Sequence, residues 1–185
     1  MAVGGPTLTS VPAAEGHVPT HEPSSPHTAA VSHDVPTFDA RVPVYDAWPP
    51  LYDGILQLTR LAHRSGLDAK LLQLVDVRAS QLNGCAYCLD LHTGMAVKLG
   101  EDERRLHTIA AGRDAGWFSP AEKAALALTE EVTLLHGPPS EATVDDVRRH
   151  FGDDGLAKLL LAIVTINAWN RVNVAAQVRV GGAGP

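Results

Sequence analysis

Apolar residues return every three or four positions from Leu51 onward, and glycine or proline falls between the stripes instead of within them. Leu51, Ile55, Leu58 and Leu61-Ala62 make the first stripe, closed by Ser65-Gly66. Asp68 opens the second as an N-cap, and Leu71, Leu72, Leu74, Val75, Ala79 and Leu82 carry it to Asn83-Gly84. The next helix buries Leu89, Leu91, Met95, Ala96 and Leu99 and ends with Gly100 at C′. Glu101-Asp102-Glu103 places acids at the positive end of a short helix that reaches Gly112. Ser119-Pro120-Ala121-Glu122 reads as a capping box with proline at N1, and its helix runs through Ala125, Leu128, Val132 and Leu135 to Gly137-Pro138-Pro139. Thr143 caps a helix over 144–151 that Gly152 stops, and a last helix runs from Asp153 or Asp154 to about Val178. No alternating strand interrupts 51–178, so the expected fold class is all-α.

The chain ahead of these stripes is different. Residues 1–38 mix six prolines with Ser, Thr, Gly and Ala and hold few large apolar side chains, which predicts a disordered tail. Its His17, His21, His27 and His33 are irregularly spaced and accompanied by no cysteine, a poor metal set. Phe38 to Tyr52, with aromatics and prolines, reads as an extended strap across the core. The organisation expected is a tail over 1–38, one helical domain over 39–180, and a flexible C-terminus over 181–185.

Charge and hydropathy remove several classes of function. With 21 Asp and Glu against 15 Lys and Arg, and no basic cluster, the chain is unsuited to nucleic acid. Its most apolar segment, Leu156 to Trp169, is broken by Lys158, Thr165 and Asn167 and falls short of the roughly 20 residues a membrane helix needs. Met1 to Pro6 lacks a basic n-region and an apolar h-region, so a cytoplasmic location is expected.

The chemistry is concentrated in Ser80-Gln81-Leu82-Asn83-Gly84-Cys85-Ala86-Tyr87-Cys88-Leu89-Asp90-Leu91-His92, which holds both cysteines of the chain. If the stretch is helical from about Gly84, Cys85, Cys88 and His92 share one face. Asn83 as N-cap would put the cysteines in the first turn, where free amides and the helix dipole favour a thiolate. The helix start favours Cys85, while a base four residues on favours Cys88. A dithiol beside a base suits peroxide reduction, in which one thiolate becomes a sulfenic acid and the other condenses with it to a disulfide. Zinc would lack a fourth protein ligand, and Leu89 stands where c-type haem attachment needs histidine; no cofactor and no metal are expected. Two small core-filling cysteines remain the structural alternative.

The same stretch, with Gly100-Glu101 and the late Ile166-Asn167-Ala168-Trp169-Asn170-Arg171, closely resembles the alkyl hydroperoxidase D-like (AhpD-like) branch of the carboxymuconolactone decarboxylase superfamily over about 42–178. The resemblance implies an all-α AhpD-like helical bundle, assembled as a homo-trimer or hexamer, acting as a peroxidase on hydrogen peroxide or organic hydroperoxides. It implies that Cys88 attacks, Cys85 resolves and His92 relays protons, with electrons from a lipoylated or thioredoxin-like dithiol protein. The family commonly places a glutamate twelve positions before the first cysteine as the relay's proton acceptor, and here that position is Gln73, which cannot accept a proton. Asp76 or Glu130, or Glu131 beside it, are the candidates to stand in, Asp76 being weighed more as a solvated surface acid. The alternatives are a carboxymuconolactone decarboxylase-type enzyme and a redox-sensing helical module without turnover. Trp169, Asn170 and Arg171 are read as packing and interhelical hydrogen bonding, with Arg171 available to an interface carboxylate.

Overall fold

The computed structural model describes residues 38–180. The tail expected over 1–38, with its histidines, and the C-terminus expected over 181–185 lie outside the described residues, apart from Phe38. The described residues form α1 (Val44–Ala47), α2 (Pro49–His63), α3 (Ala69–Asn83), α4 (Ala86–Lys98), α5 (Glu103–Thr108) with a 3-10 turn over Ile109–Ala111, α6 (Pro120–Leu134) and α7 (Glu141–Ala176). No strand is found among them, and the one bridge joins Ala40 to Val178. The all-α reading holds.

Local chemistry explains most boundaries. Asp68 accepts the Leu71 amide at 3.0 Å and starts α3. Ser119 and Glu122 exchange the reciprocal bonds of a capping box at the head of α6. Two boundaries away from the cysteines differ from the sequence reading. The segment before Leu51 is not extended throughout, because Pro43 precedes the single turn of α1 and Pro49 opens α2, where a missing amide costs nothing. Ser140, not Thr143, caps α7, and Glu131 fixes that start by accepting from the Ser140 amide at 2.6 Å and the Thr143 hydroxyl at 2.7 Å. Gly152, with φ 69° and ψ −178°, breaks the helical backbone inside α7 as the sequence predicts, so Glu141–Ala176 is two helical runs meeting at a kink.

α3 is the centre of the bundle. Leu71 and Val75 pack against Ala124, Ala125 and Leu128 of α6 and Val147, Leu159 and Ile163 of α7. Leu74 and Val77 face Ala96, Leu106 and Phe118 on another side, and Leu72 meets Ala62 and Ala162 on a third. A helix covered on all sides must bury whatever polar residues it carries, and every residue from Leu71 to Val77 is buried, Gln73 and Asp76 among them. By length and composition α7 could cross a membrane, yet its Leu159, Ile163 and Ile166 are core residues.

Candidate active site

The turn between α3 and α4 places the cysteines. α3 runs on to Asn83 and stops at Gly84 in the left-handed region, φ 65° and ψ 29°. Cys85 is therefore the N-cap of α4, in place of the expected Asn83, and its Sγ accepts the Cys88 amide at 3.3 Å. The Asn83 side chain turns back to hold the junction: its Nδ2 lies 3.0 Å from Ala79 O, 3.0 Å from Asn167 Oδ1 and 2.9 Å from Asn170 Oδ1. Asn170 passes the network to Ser80 Oγ at 3.0 Å, and Arg171 donates to Asn167 Oδ1. Asn167 and Asn170 thus lace α7 to the α3–α4 turn, and Arg171 braces Asn167 from within α7.

Cys85 and Cys88 are joined as a disulfide, with Cα atoms 5.4 Å apart, and both are buried. Cys88 and His92 line one cavity of about 300 Å³, and Cys85 stands outside its lining. The cavity walls are mostly apolar, built from Tyr52, Leu56, Leu72, Leu91, Ile166 and Trp169. Trp169 is fixed in that wall by donating from Nε1 to Thr59 Oγ1 at 2.8 Å. Asp76, His92 and His63 supply its titratable edge, with His63 exposed.

His92 Nδ1 lies 3.0 Å from Gln73 Oε1 and 3.3 Å from Asp76 Oδ2. Gln73 Oε1 can only accept, so the hydrogen sits on Nδ1 and the lone pair on Nε2. Burial pushes the Asp76 carboxyl up to about 8, and burial, with a smaller effect of His63, pulls His92 down to about 4. Near neutral pH the site therefore holds a neutral carboxylic acid beside a neutral imidazole. Asp76 is not the solvated acid that the sequence reading favoured, because α3 has no solvent-facing side at this turn. Glu130 is not brought to the imidazole: Arg78 holds its Oε1 at 2.9 Å, Arg113 holds its Oε2 at 3.1 Å, and it does not line the cavity. Glu131 is engaged at the start of α7, as described.

Two residues at the sulfur escape a reading of the sequence. Asn173 Nδ2 donates to Cys88 Sγ at 3.3 Å, and Tyr45 Oη donates to Asn173 Oδ1 at 2.6 Å. The late Asn-Ala-Trp-Asn-Arg signal ends two residues short of Asn173, and nothing in its spacing marks Tyr45.

An all-helical bundle with a Cys-x-x-Cys disulfide and a histidine on one apolar cavity defines an AhpD-like dithiol protein. Residues 44–131 match the carboxymuconolactone decarboxylase family. The uncharacterized protein YdfG of Bacillus subtilis is 37% identical over 125 residues, 65% of this chain and 83% of the Bacillus protein. Among solved structures, a protein of unknown function from Agrobacterium tumefaciens, named as a candidate AhpD antioxidant defence protein, superposes with TM-score 0.74 at 27% identity, covering 77% of this chain and 99% of its own. The debrominase Bmp8 shares the fold at TM-score 0.65 and 18% identity, over 73% of each chain. The chain belongs to the carboxymuconolactone decarboxylase family, as an AhpD-like member of that superfamily.

Proposed function

We propose that the protein is a dithiol peroxidase that reduces organic hydroperoxides, or hydrogen peroxide, through the Cys85–Cys88 pair. The observation that carries this reading is the placement of Cys88 and His92 on one mostly apolar cavity, with Cys85 bonded to Cys88 from outside it. Reduced Cys88, as thiolate, attacks one peroxide oxygen; the O–O bond breaks and the alkoxide leaves with a proton as alcohol. Cys88 becomes a sulfenic acid. Cys85 then attacks the Cys88 sulfur, water leaves, and the disulfide forms. A dithiol protein, lipoylated or thioredoxin-like, returns two electrons and two protons. His92 Nε2 relays the thiol proton to solvent without keeping it, and Asp76, neutral near pH 7, holds the proton that the leaving oxygen needs. Gln73 fixes the imidazole tautomer and carries no proton itself.

An apolar cavity of about 300 Å³, at the small end of ligand pockets, suits an organic body better than hydrogen peroxide, which offers nothing for apolar walls to bury. Assembly as a homo-trimer or hexamer and a cytoplasmic location belong to the same reading; Leu61 of α2 and Val164 of α7 are exposed apolar side chains available to a subunit contact. The test is to count free thiols before and after one equivalent of an aromatic hydroperoxide, then to supply a dithiol reductant repeatedly. The expected result is a loss of two thiols per peroxide and sustained peroxide consumption, abolished by Cys88→Ser. A single oxidation without turnover would favour the redox-sensing module instead.

A further inference from the structure

We infer that Tyr45 and Asn173 form a hydrogen-bond chain that stabilises Cys88 as a thiolate and so selects it as the attacking sulfur. The inference rests on the dithiol reading above. Its members come from three helices, α1, α4 and α7, and each is at most 3% exposed. Asn173 touches the reacting sulfur; Tyr45 is a positioning residue behind it.

The need for such a donor follows from what surrounds the sulfur. The titratable groups facing it across the cavity are Tyr87 and His92 on α4, Asp76 on α3, and His63 and Tyr52 on α2, while Tyr45 on α1 stands behind Asn173 outside the lining; α7 presents Thr165, Ile166, Trp169 and Asn173, none of them ionisable. Among the described residues, no lysine or arginine lines the cavity. His92 is held neutral near pH 7 by burial, so no imidazolium forms the usual ion pair with a thiolate. A dipolar N–H is what remains to balance the charge. Cys85 already has one, the Cys88 amide at 3.3 Å. The Asn173 amide, also at 3.3 Å, gives Cys88 its counterpart, so the helix start alone does not hand the role to Cys85.

Tyr45 decides which end of the Asn173 amide meets the sulfur. Burial holds the Tyr45 hydroxyl above its ordinary range, so it stays a phenol and donates its proton to Asn173 Oδ1. With Oδ1 committed, Nδ2 points at Cys88. Rotated the other way, the amide would set a carbonyl lone pair against the thiolate and favour the protonated thiol instead. The backbone at this turn is pinned as well, since Asn173 O accepts the Val178 amide at 3.0 Å. A thiolate is a stronger acceptor than a disulfide sulfur, so the bond strengthens when the pair is reduced.

The test is the pH dependence of Cys88 alkylation by iodoacetamide in a Cys85→Ser background, where serine preserves the α4 N-cap and leaves a single thiol. Asn173→Leu together with Tyr45→Phe replaces both polar partners by apolar groups, which leaves no buried hydroxyl unpaired. The alkylation midpoint is expected to rise by about one to two pH units, the worth of a hydrogen bond to a charged group. Tyr45→Phe alone, which only frees the amide to turn, is expected to raise it by less. Unmoved midpoints in folded proteins of both kinds would overturn the inference, and should the double variant not fold, Tyr45→Phe decides alone. Alkylation needs no peroxide: a shifted midpoint in a protein that never turns over peroxide would uphold this chain and sink the peroxidase reading, and the reverse pair of results would do the opposite.

Discussion

The Asp76–His92 pair sets part of the protein's response to pH. In the unfolded chain an aspartate titrates near 4 and a histidine near 6.5; in the folded protein Asp76 titrates at about 8 and His92 at about 4. Between about pH 4 and 6.5 the unfolded pair is charged and the folded pair neutral, yet both hold the same number of protons, so this pair gives stability no slope. From about 6.5 to 8 the unfolded histidine has lost its proton while folded Asp76 keeps one, and stability falls as pH rises. Asp76→Asn leaves the histidine alone: its stability is expected to rise up to about pH 6.5 and then stay level. Denaturant melts at pH 5, 6.5 and 8 separate the two shapes, and parallel curves would show that Asp76 is not held neutral. The sequence singles out Cys85, Cys88 and His92 by their spacing, and the family resemblance adds Gln73 and, one turn on, Asp76. It does not reveal Asn173 or Tyr45, whose bonds span sequence separations of 85 and 128 residues. Glu130 was within reach by position, but the arginines that claim it are visible only after folding.

Between helices, the Asn83-Gly84 junction decides where the dithiol sits. Gly84 is left-handed and nothing lies within 4 Å of a Cβ placed there, so Gly84→Ala adds backbone strain of about 1 kcal/mol and no clash. Asn83→Ala removes a side-chain amide from three oxygens on α3 and α7; Asn167 Oδ1 keeps Arg171 as donor, but the buried Asn170 Oδ1 loses its donor, which costs about 1–3 kcal/mol. Thermal melts are expected to rank Asn83→Ala as the more damaging, with slower reoxidation of its reduced dithiol; the opposite ranking would mean that backbone strain, and not the asparagine network, holds the turn. Helix existence was legible from periodicity because each of the longer helices has an apolar face, and strong caps such as Asp68 and Ser119 were legible from residue type. What was not legible depends on neighbours. Ser140 outcompetes Thr143 as a cap because Glu131 of α6 waits for it, whereas the break at Gly152 was legible from the glycine itself.

Taken whole, the bundle surrounds α3 and leaves a cavity where α2, α3, α4 and α7 meet, so the relay, the sulfur and the apolar walls come from four different helices. The sequence indicated the family and the dithiol but not the cavity, which no single stripe encodes, nor which sulfur it reaches. The account's central claim is that Cys88, facing this cavity, is the sulfur that meets the peroxide. It is tested most directly by treating reduced Cys85→Ser and Cys88→Ser proteins with one equivalent of cumene hydroperoxide, an apolar aromatic probe, and trapping sulfenic acid with dimedone for mass analysis. The account predicts a dimedone adduct on Cys88 in the Cys85→Ser protein and an unmodified Cys85 thiol in the Cys88→Ser protein. An adduct on Cys85 with none on Cys88 would contradict it.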